Sequence, residues 1–314
     1  MLQFLINGFK ALMGIKQFGK KVIFNMSAGL SDILYRRPYF DPESKARVRS
    51  EDKLLHLDLV ITEYCTRKCR DCSNLMQYYE CPEHLTSEDV IRDLGRLLEC
   101  YSIGELKILG GEPFVNQSVL IDVLHYLSGE AGGRVDRINI ITNGTMIPGD
   151  ECIKALKADS KIELTFSNYG TVSSRQDEFV GLCKENGIRH TVIDGSFYWL
   201  DFGRPVKYLE SWDFLERQYK HCYNRKSCNT LYRGGFYACP RQAHGIHLGL
   251  LPDAKNEYVD LYDPAYTDKE GLRRAVLGVV RRKEHITACR FCIIGKHIHV
   301  PRGVQLESGK VRED

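Results

Sequence analysis

The sequence predicts an α/β protein built on a parallel sheet, followed by a second region that is rich in cysteine. Short apolar runs alternate with helical patterns of ten or more residues, which is typical of βα units. Cysteine, glycine and small polar residues follow several of the apolar runs. Because ligands bind outside the carboxyl ends of the strands in open α/β sheets, we expect these motifs to meet at one site.

The composition is that of an ordinary enzyme. The 314 residues are 43% hydrophobic and 27% charged, with a formal net charge of +3, so nothing calls for nucleic acid as a partner. No apolar run is long enough to cross a bilayer. The 12 cysteines are too sparse for a small disulfide-stapled domain, and no secretory segment precedes them. We therefore expect a cytoplasmic protein with reduced thiols.

Residues 1–50 are predicted to be an N-terminal extension that is partly an amphipathic helix. Within residues 1–24, apolar side chains fall on one helical face and four lysines supply positive charge. Such a pattern can contact a membrane surface, which would make the protein peripheral to the membrane. It can equally pack its apolar face onto the rest of the protein.

Five strands are predicted along the next 150 residues, with helices between them. The helix Ser87 to Cys100 has Thr86 or Ser87 as its N-cap, and Ser118 to Leu127 forms another helix. The predicted strands are His56 to Thr62, Glu105 to Leu109, Arg137 to Thr142, Lys161 to Ser167, and Arg189 to Asp194.

Three cysteines, Cys65, Cys69 and Cys72, lie on one tight loop after the first strand. This spacing, C-x3-C-x2-C, suits a [4Fe-4S] cluster, in which three protein ligands leave one iron open. An open iron can take a small molecule through its amine and carboxylate. A structural zinc ion would instead need a fourth ligand, for which Cys81 and His84 are the nearest candidates.

The second strand ends in Gly110-Gly111-Glu112-Pro113. The glycines allow a close approach of backbone to a ligand, and Glu112 can accept a hydrogen bond from an ammonium group. An ordinary turn would use the same residues.

The third and fourth strands end in small polar residues. Asn143 follows the third strand, and either Ser167 or Asn168 can present a hydrogen-bonding group at the end of the fourth. Asn143-Gly144 is also a favoured turn, so turn formation explains Asn143 equally well.

A second cysteine constellation occupies the last third of the chain. Its pattern is C-x11-G-x4-C followed by C-x2-C, with Cys228 as a surplus thiol that could replace Cys222. Four thiolates would close an iron-sulfur cluster, although four cysteines can also hold structural zinc. The four cysteines of this pattern are Cys222, Cys239, Cys289 and Cys292.

The two patterns together resemble the radical S-adenosylmethionine (radical SAM) superfamily with a C-terminal twitch domain, the shorter relative of the SPASM domain. The resemblance spans roughly residues 54–295. It implies a partial (β/α) barrel over residues 51–211 and an auxiliary [4Fe-4S] cluster domain over residues 212–314. The ligands of the auxiliary cluster would be the four cysteines of the second pattern, with Cys228 as the alternative to Cys222. The five-strand count is also similar to the twitch-bearing dehydrogenase of aminocyclitol antibiotic biosynthesis, where the barrel is truncated.

The resemblance also implies roles for the motifs. The first three cysteines would bind a cluster that reductively cleaves S-adenosylmethionine (SAM) to a 5'-deoxyadenosyl radical, with electrons from a flavodoxin- or ferredoxin-type donor. The Gly110-Gly111-Glu112 turn would bind the SAM amino group, and Ser167 or Asn168 the ribose. The position before the third cysteine is often aromatic or apolar in the family and contacts adenine, but here it is Asp71.

Three functions remain open from the sequence. The first is oxidation or epimerisation of a sugar or cyclitol, with Cys228 as a hydrogen donor if the enzyme is an epimerase. The second is maturation of a ribosomal peptide by a crosslink or an epimerisation. The third is a non-catalytic zinc-binding interaction protein, in which both cysteine sets are structural.

Overall fold

The computed structural model describes residues 48–50, 52–193, 199–307 and 310. The predicted amphipathic segment of residues 1–24 lies outside the described residues. Residues Ala46–Asp314 form one compact unit, so the predicted boundary between residues 211 and 212 stays a prediction. No described helix is both long and apolar enough to span a bilayer.

The first part of the chain alternates strands and helices. After the short strand β1 (Val48–Ser50), four βα units and a further strand follow in order. They are β2 (Lys53–Val60), α1 (Ser87–Leu98), β3 (Ser102–Leu109), α2 (Gln117–Ser128), β4 (Val135–Thr142), α3 (Asp150–Lys157), β5 (Ile162–Ser167), α4 (Gln176–Glu185) and β6 (His190–Ile193).

The second part has shorter elements. Several are 3-10 turns, including Thr287–Phe291 and Ile294–Lys296. The other elements are β7 (Trp199–Leu200), α5 (Trp212–His221), α6 (Tyr223–Ser227), β8 (Thr230–Tyr232), β9 (Gly235–Tyr237), α7 (Pro240–His247), β10 (Val259–Asp260), α8 (Lys269–Arg281) and β11 (His299–Val300).

The main sheet is mostly parallel, and its order is β10-β9-β8-β2-β3-β4-β5-β6. Strands β2 to β6 pair in chain order, which is the winding of a βα barrel rather than of a doubly wound sheet. Within the described residues β6 and β8 do not pair, so the barrel is partial. The predicted fold class is confirmed.

All five predicted strands are present, and the structure adds a sixth parallel strand. Strand β8 pairs with β2 through Asp58 and Leu59, on the side of β2 away from β3. It belongs to the region that the sequence assigned to the auxiliary domain. A strand of three residues is too short to show a periodic pattern in the sequence. Its pairing is fixed by contacts with residues that are far away along the chain.

The two faces of the parallel sheet differ in chemistry because successive side chains alternate between them. One face carries a buried apolar row in register, formed by Leu57, Leu106, Ile138 and Ile162. It packs into one core with the helices, and each such side chain contributes about 1.5–3 kcal/mol. The other face carries a polar row in register, formed by Asp58, Lys107, Asn139 and Glu163.

Helix α1 shows how the sequence places the helices against the sheet. Thr86 is the N-cap, and its hydroxyl accepts a hydrogen bond from the backbone N–H of Asp89 at 3.1 Å. Such a cap contributes about 1 kcal/mol. The buried side chains Val90, Leu94 and Leu97 recur at helical spacing on the face toward the sheet.

Candidate metal centres

The first cysteine site consists of Cys65, Cys69 and Cys72, on the long loop between β2 and α1. The loop turns back at its second cysteine, because the Cys72 N–H donates to the Cys69 carbonyl at 3.3 Å. All three cysteines line one cavity of about 280 Å³. The ends of β3, β4 and β5 reach the same cavity, so the predicted convergence of motifs is present.

The thiols of the first cysteine site favour a cationic partner. Burial raises the pKa of all three thiols, to about 11 for Cys69. Neighbouring thiolate charge raises the pKa values of Cys65 and Cys69 further. A bound iron-sulfur cluster would take these groups as thiolates and would supply the positive charge that offsets the burial of their negative charge. The donor set therefore fits an iron-sulfur cluster.

The glycine turn after β3 packs on the cysteine loop. The Gly111 N–H donates to the Thr62 carbonyl at 2.9 Å, and the Glu112 N–H donates to the Tyr64 carbonyl at 2.8 Å. A Cβ on Gly111 would come within 2.0 Å of the Tyr64 carbonyl oxygen. Glycine is thus required here because two backbones touch, while Gly110 and Gly111 also line the cavity.

Glu112 is only 1% exposed, and its carboxylate accepts three hydrogen bonds from the protein. The donors are Thr142 Oγ1 at 2.8 Å, Asn143 N at 2.7 Å and Phe114 N at 3.2 Å. Burial raises the pKa of this carboxyl to about 7, although the three donors oppose the rise. Glu112 thereby ties the ends of β3 and β4 together. Like Asn168, it is not among the residues that line the cavity, and its contact with a ligand ammonium stays a prediction.

Asn143 contacts the cysteine loop directly. Its Nδ2 donates to Thr66 Oγ1 at 3.1 Å and lies 3.7 Å from Cys65 Sγ. Its Oδ1 accepts from Thr145, so the side chain also forms the turn that the sequence predicted. Asn143 lines the cavity.

The two candidates after β5 are in different places. Ser167 lines the cavity, whereas Asn168 is not among the lining residues. The Asn168 side chain accepts a hydrogen bond from the Gly170 N–H at 2.8 Å and so shapes the next turn. The placement favours Ser167 over Asn168 as a ligand contact.

Three aromatic side chains that the sequence did not single out for this role complete the cavity wall. They are Tyr169, Trp199 and Phe202. The Tyr169 and Trp199 rings meet edge to face with centroids 5.2 Å apart. Asp71 also lines the cavity, and the Arg70 guanidinium pairs with its carboxylate at 3.0 Å.

A C-terminal strap, residues 298–306, reaches the first cysteine site from the other end of the chain. Its Leu306 N–H donates to the Lys68 carbonyl, and its Val304 carbonyl accepts from the Arg70 N–H, both at 2.8 Å. The Gln305 Nε2 group donates to Cys69 Sγ at 3.2 Å. Gln305 lies 236 residues from Cys69, and no local pattern in the sequence marks it.

The second cysteine site consists of Cys222, Cys239, Cys289 and Cys292. The charge of Cys222 raises the pKa of each of the other three thiols, in addition to the larger effect of burial. Cys222 joins α5 to α6, and Cys239 precedes α7. Gln218 Nε2 donates to the carbonyls of Cys289 and Cys292, at 3.1 and 3.2 Å.

Cys228 faces a different environment. Burial raises the pKa of its thiol, Asp58 raises it further, and Lys107 opposes the rise. Lys107 Nζ lies 3.6 Å from Asp58 Oδ1 and donates to the carbonyl of Ser227 at 2.9 Å. The charge of Cys222 also raises the pKa of the Cys228 thiol, whereas Cys228 is not among the groups that shift the pKa values of Cys239, Cys289 and Cys292. The ligand assignment between Cys222 and Cys228 stays a prediction.

Cys81 and His84, the two candidates for a fourth zinc ligand at the first cysteine site, have different surroundings. Cys81 is exposed, and His84 Nδ1 lies 2.9 Å from Thr62 Oγ1 while its ring stacks on Tyr64. Across the described ranges, no three or more His, Cys, Asp or Glu side chains converge on the position of a single metal ion such as zinc. In an iron-sulfur cluster, by contrast, each thiolate binds a different iron.

Comparisons with known proteins concern mainly the first half of the sheet. Residues 58–167 match the model of the 4Fe-4S single cluster domain. A curated relative, the GTP 3',8-cyclase of Erythrobacter litoralis (strain HTCC2594), is 31% identical over 98 residues, which are 31% of this chain and 29% of the relative. The chain thus spans less than a third of that relative's length.

Among solved structures, similarity extends over more of the chain at lower identity. SuiB from Streptococcus suis bound to S-adenosylmethionine is 15% identical, with a TM-score of 0.36 over 73% of this chain and 50% of SuiB. Native anSMEcpe with bound AdoMet and Cp18Cys peptide is 17% identical, with a TM-score of 0.36 over 44% of this chain and 42% of that one.

Proposed function

We propose that this chain, whose residues 58–167 form a 4Fe-4S domain of the radical SAM superfamily, cleaves SAM and abstracts hydrogen from a substrate C–H bond. The observation that carries the proposal is the shared cavity. Three thiols, the glycine turn after β3, Asn143 after β4 and Ser167 at the end of β5 all line it. A site for an open cluster and its small-molecule ligand needs this combination.

In this proposal Cys65, Cys69 and Cys72 hold the cluster. When bound, the cluster and SAM supply a hydrogen-abstracting radical. The chain's part is to hold the thiolates in place and to exclude water. Amide N–H groups of Asn143 and Gln305 point at Cys65 and Cys69, which stabilises the thiolate form of these ligands.

Glu112 is proposed to hold the amino group of SAM. A carboxylate has about four acceptor positions, and the protein occupies three of them at Glu112. One position is therefore left for an ammonium donor. The hydroxyl of Ser167 is the proposed partner of the ribose, and Tyr169 and Trp199 offer apolar ring surface to the rest of the molecule.

The proposed substrate is a sugar or cyclitol. The polar row Asp58, Lys107, Asn139 and Glu163 lies on one face of the sheet, two residues along β3 and β4 from the cavity-lining Leu109 and Ile141. Thr165 donates to Asn139 on the same face. Hydroxyl-rich molecules can exchange hydrogen bonds with such groups, whereas an apolar molecule would leave them unsatisfied.

Dehydrogenation is the first proposed outcome. The second cysteine site has four thiols and would close a cluster that leaves no iron open to substrate. Such a cluster could take the one electron that the substrate radical must lose after hydrogen abstraction. Loss of the hydroxyl proton to solvent would then complete the conversion of the alcohol to a carbonyl.

Epimerisation is the second candidate, because Cys228 faces Asp58 and Lys107. A thiol that gives its hydrogen atom to a carbon-centred substrate radical forms the product C–H bond and leaves a sulfur radical. One electron from the flavodoxin- or ferredoxin-type donor and one proton from solvent would then return the sulfur radical to the thiol. A sugar or aminocyclitol panel turned over in D2O distinguishes the outcomes, since only epimerisation transfers one deuterium from the exchanged thiol to the product carbon.

The proposal is tested first by SAM cleavage in anaerobically reconstituted protein with dithionite. We expect 5'-deoxyadenosine from the unaltered protein and none from the variant Cys65→Ala/Cys69→Ala/Cys72→Ala. The matched control is Cys152→Ala/Cys183→Ala, which removes two buried thiols that do not line the cavity. Equal 5'-deoxyadenosine formation by the triple variant would refute the proposal.

A further inference from the structure

Arg241 is a buried cation, and no carboxylate of the described residues is in ion-pair contact with it. The residue is 2% exposed and has the largest of the fully buried side chains. Elsewhere in this part of the chain, Arg233 and Arg282 pair with glutamates, but among the described residues no carboxylate forms an ion pair with Arg241. Burying a guanidinium in this way is costly unless negative charge lies nearby.

The hydrogen bonds of Arg241 leave part of its guanidinium unused. Nε donates to the carbonyl of Phe291 at 3.0 Å, and Nη2 donates to the carbonyl of Gly203 at 2.7 Å. Nη1 is buried and has no hydrogen-bond partner. Two neutral carbonyls satisfy two donor groups, but they do not balance the charge.

The position of Arg241 relates it to both cysteine sites. It lies two residues after Cys239, and Phe291, which accepts its Nε–H, directly precedes Cys292. Gly203 follows Phe202, which lines the cavity of the first site. In agreement with this placement, the Arg241 charge lowers the pKa values of the Cys72, Cys239 and Cys292 thiols, against the larger opposite effect of burial.

We propose that Arg241 is the shared counter-charge of the two cysteine sites and that it sets the reduction potential of the clusters bound there. The inference rests on the proposed function, since it requires iron-sulfur clusters at these thiols. The thiolates of the two cysteine sites would supply the negative charge that offsets the buried guanidinium. A fixed positive charge beside a cluster favours the form that carries one more electron, so it raises the potential.

The proposal makes Arg241 a positioning residue that acts through charge. It contacts backbone carbonyls, and its effect reaches the clusters through space. Arg241→Gln removes the charge and keeps an amide donor, whereas Arg241→Lys keeps the charge and loses the planar fork. The two variants therefore separate the charge of the side chain from its hydrogen bonds.

The test is an EPR-monitored redox titration of the reconstituted full-length protein. In Arg241→Gln the ratio of reduced to oxidised cluster at a fixed solution potential should fall about tenfold, which is about 59 mV for one electron. Arg241→Lys should stay near the unaltered protein. The control is Arg134→Met, because Arg134 also donates to two backbone carbonyls, those of Leu98 and Tyr101, at the opposite end of β3.

The outcomes separate this inference from the proposed function. Clusters present in all variants with unchanged potentials in Arg241→Gln would overturn the inference and leave the proposed function intact. Iron lost from Arg241→Gln but retained in Arg241→Lys would support a requirement for charge, whereas iron lost from both would show that Arg241 acts only through packing. Absence of clusters from the unaltered protein would defeat both proposals.

Discussion

The two cysteine sites differ in how the chain assembles them. The first draws three thiols from eight consecutive residues, and the second draws four thiols from three segments that span 71 residues. The three thiols of the first site line a cavity, whereas none of the four cysteines of the second site lines it. These four lie at the end of α5, at the start of α7, and within and directly after the turn Thr287–Phe291. Three thiolates leave one iron of a [4Fe-4S] cluster without a protein ligand, whereas four thiolates supply a ligand to every iron.

The two cysteine sites also differ in the hydrogen bonds that support them. Backbone hydrogen bonds from the glycine turn and from the C-terminal strap hold the first loop. At the second site, Gln218 performs this role, since it donates to two cysteine carbonyls and accepts from the Gly295 N–H at 2.9 Å. The strap follows Cys292 in the chain, so it links the second site covalently to the support of the first.

The largest effect is expected from removing a ligand of the second site. Cys222→Ala should lower the iron content of reconstituted protein from about eight to about four atoms per chain. The second site would lose one of its four ligands, and none of its other three thiols lines the cavity in which a small molecule could complete the coordination. Cys228→Ala is the matched control and should keep all the iron. Iron analysis checks both, and iron loss in Cys228→Ala alone would reverse the ligand assignment.

Glu112→Gln should weaken SAM binding at the first site and leave the second site unchanged. Loss of a charge-assisted hydrogen bond costs about 1.5–3 kcal/mol, which is roughly a 10- to 150-fold rise in Kd. Calorimetric titration with SAM measures the change. The surface variant Glu151→Gln serves as the charge control, and an unchanged Kd in Glu112→Gln would remove Glu112 from the proposed SAM contacts.

The same carboxyl predicts a pH dependence. Burial raises the pKa of Glu112 to about 7, so folding favours its protonated form. The stability that this carboxyl contributes is therefore lost as the pH rises through about 7. SAM binding has the opposite sign, because an ammonium needs the carboxylate. Affinity should rise between about pH 6 and 8 and should stay flat in Glu112→Gln.

A smaller effect is expected at Gln305, which donates to the first site only. Gln305→Met removes the N–H that points at Cys69 Sγ. A neutral hydrogen bond contributes about 0.5–1.5 kcal/mol, so the potential of the SAM-binding cluster should fall by roughly 20–60 mV. The potential of the other cluster should not change. An equal shift of both clusters in the redox titration would contradict a local role.

Features that depend on neighbouring residues could be predicted from the sequence. The five strands, the Thr86 cap and the cysteine loop each follow from a short pattern of residues. The glycine turn was also located, but the reason for Gly111 is the touching Tyr64 backbone, which the sequence does not show.

Features that depend on distant contacts could not be predicted. Strand β8 has three residues, and its place beside β2 follows from long-range pairing. Gln305 and Trp199 come to the first site through the strap and its pairing with β7. Whether Cys222 or Cys228 joins the second site depends on the orientation of α6, because both precede Gly234 in the sequence.

The most direct test of the contrast between an open and a closed site is an EPR spectrum of the reduced, reconstituted protein with and without SAM. The account predicts two cluster signals, of which one changes on addition of SAM while the other is unaffected. In Cys222→Ala the unaffected signal should disappear and the SAM-sensitive signal should remain. A single signal, or two signals that both respond to SAM, would contradict the account.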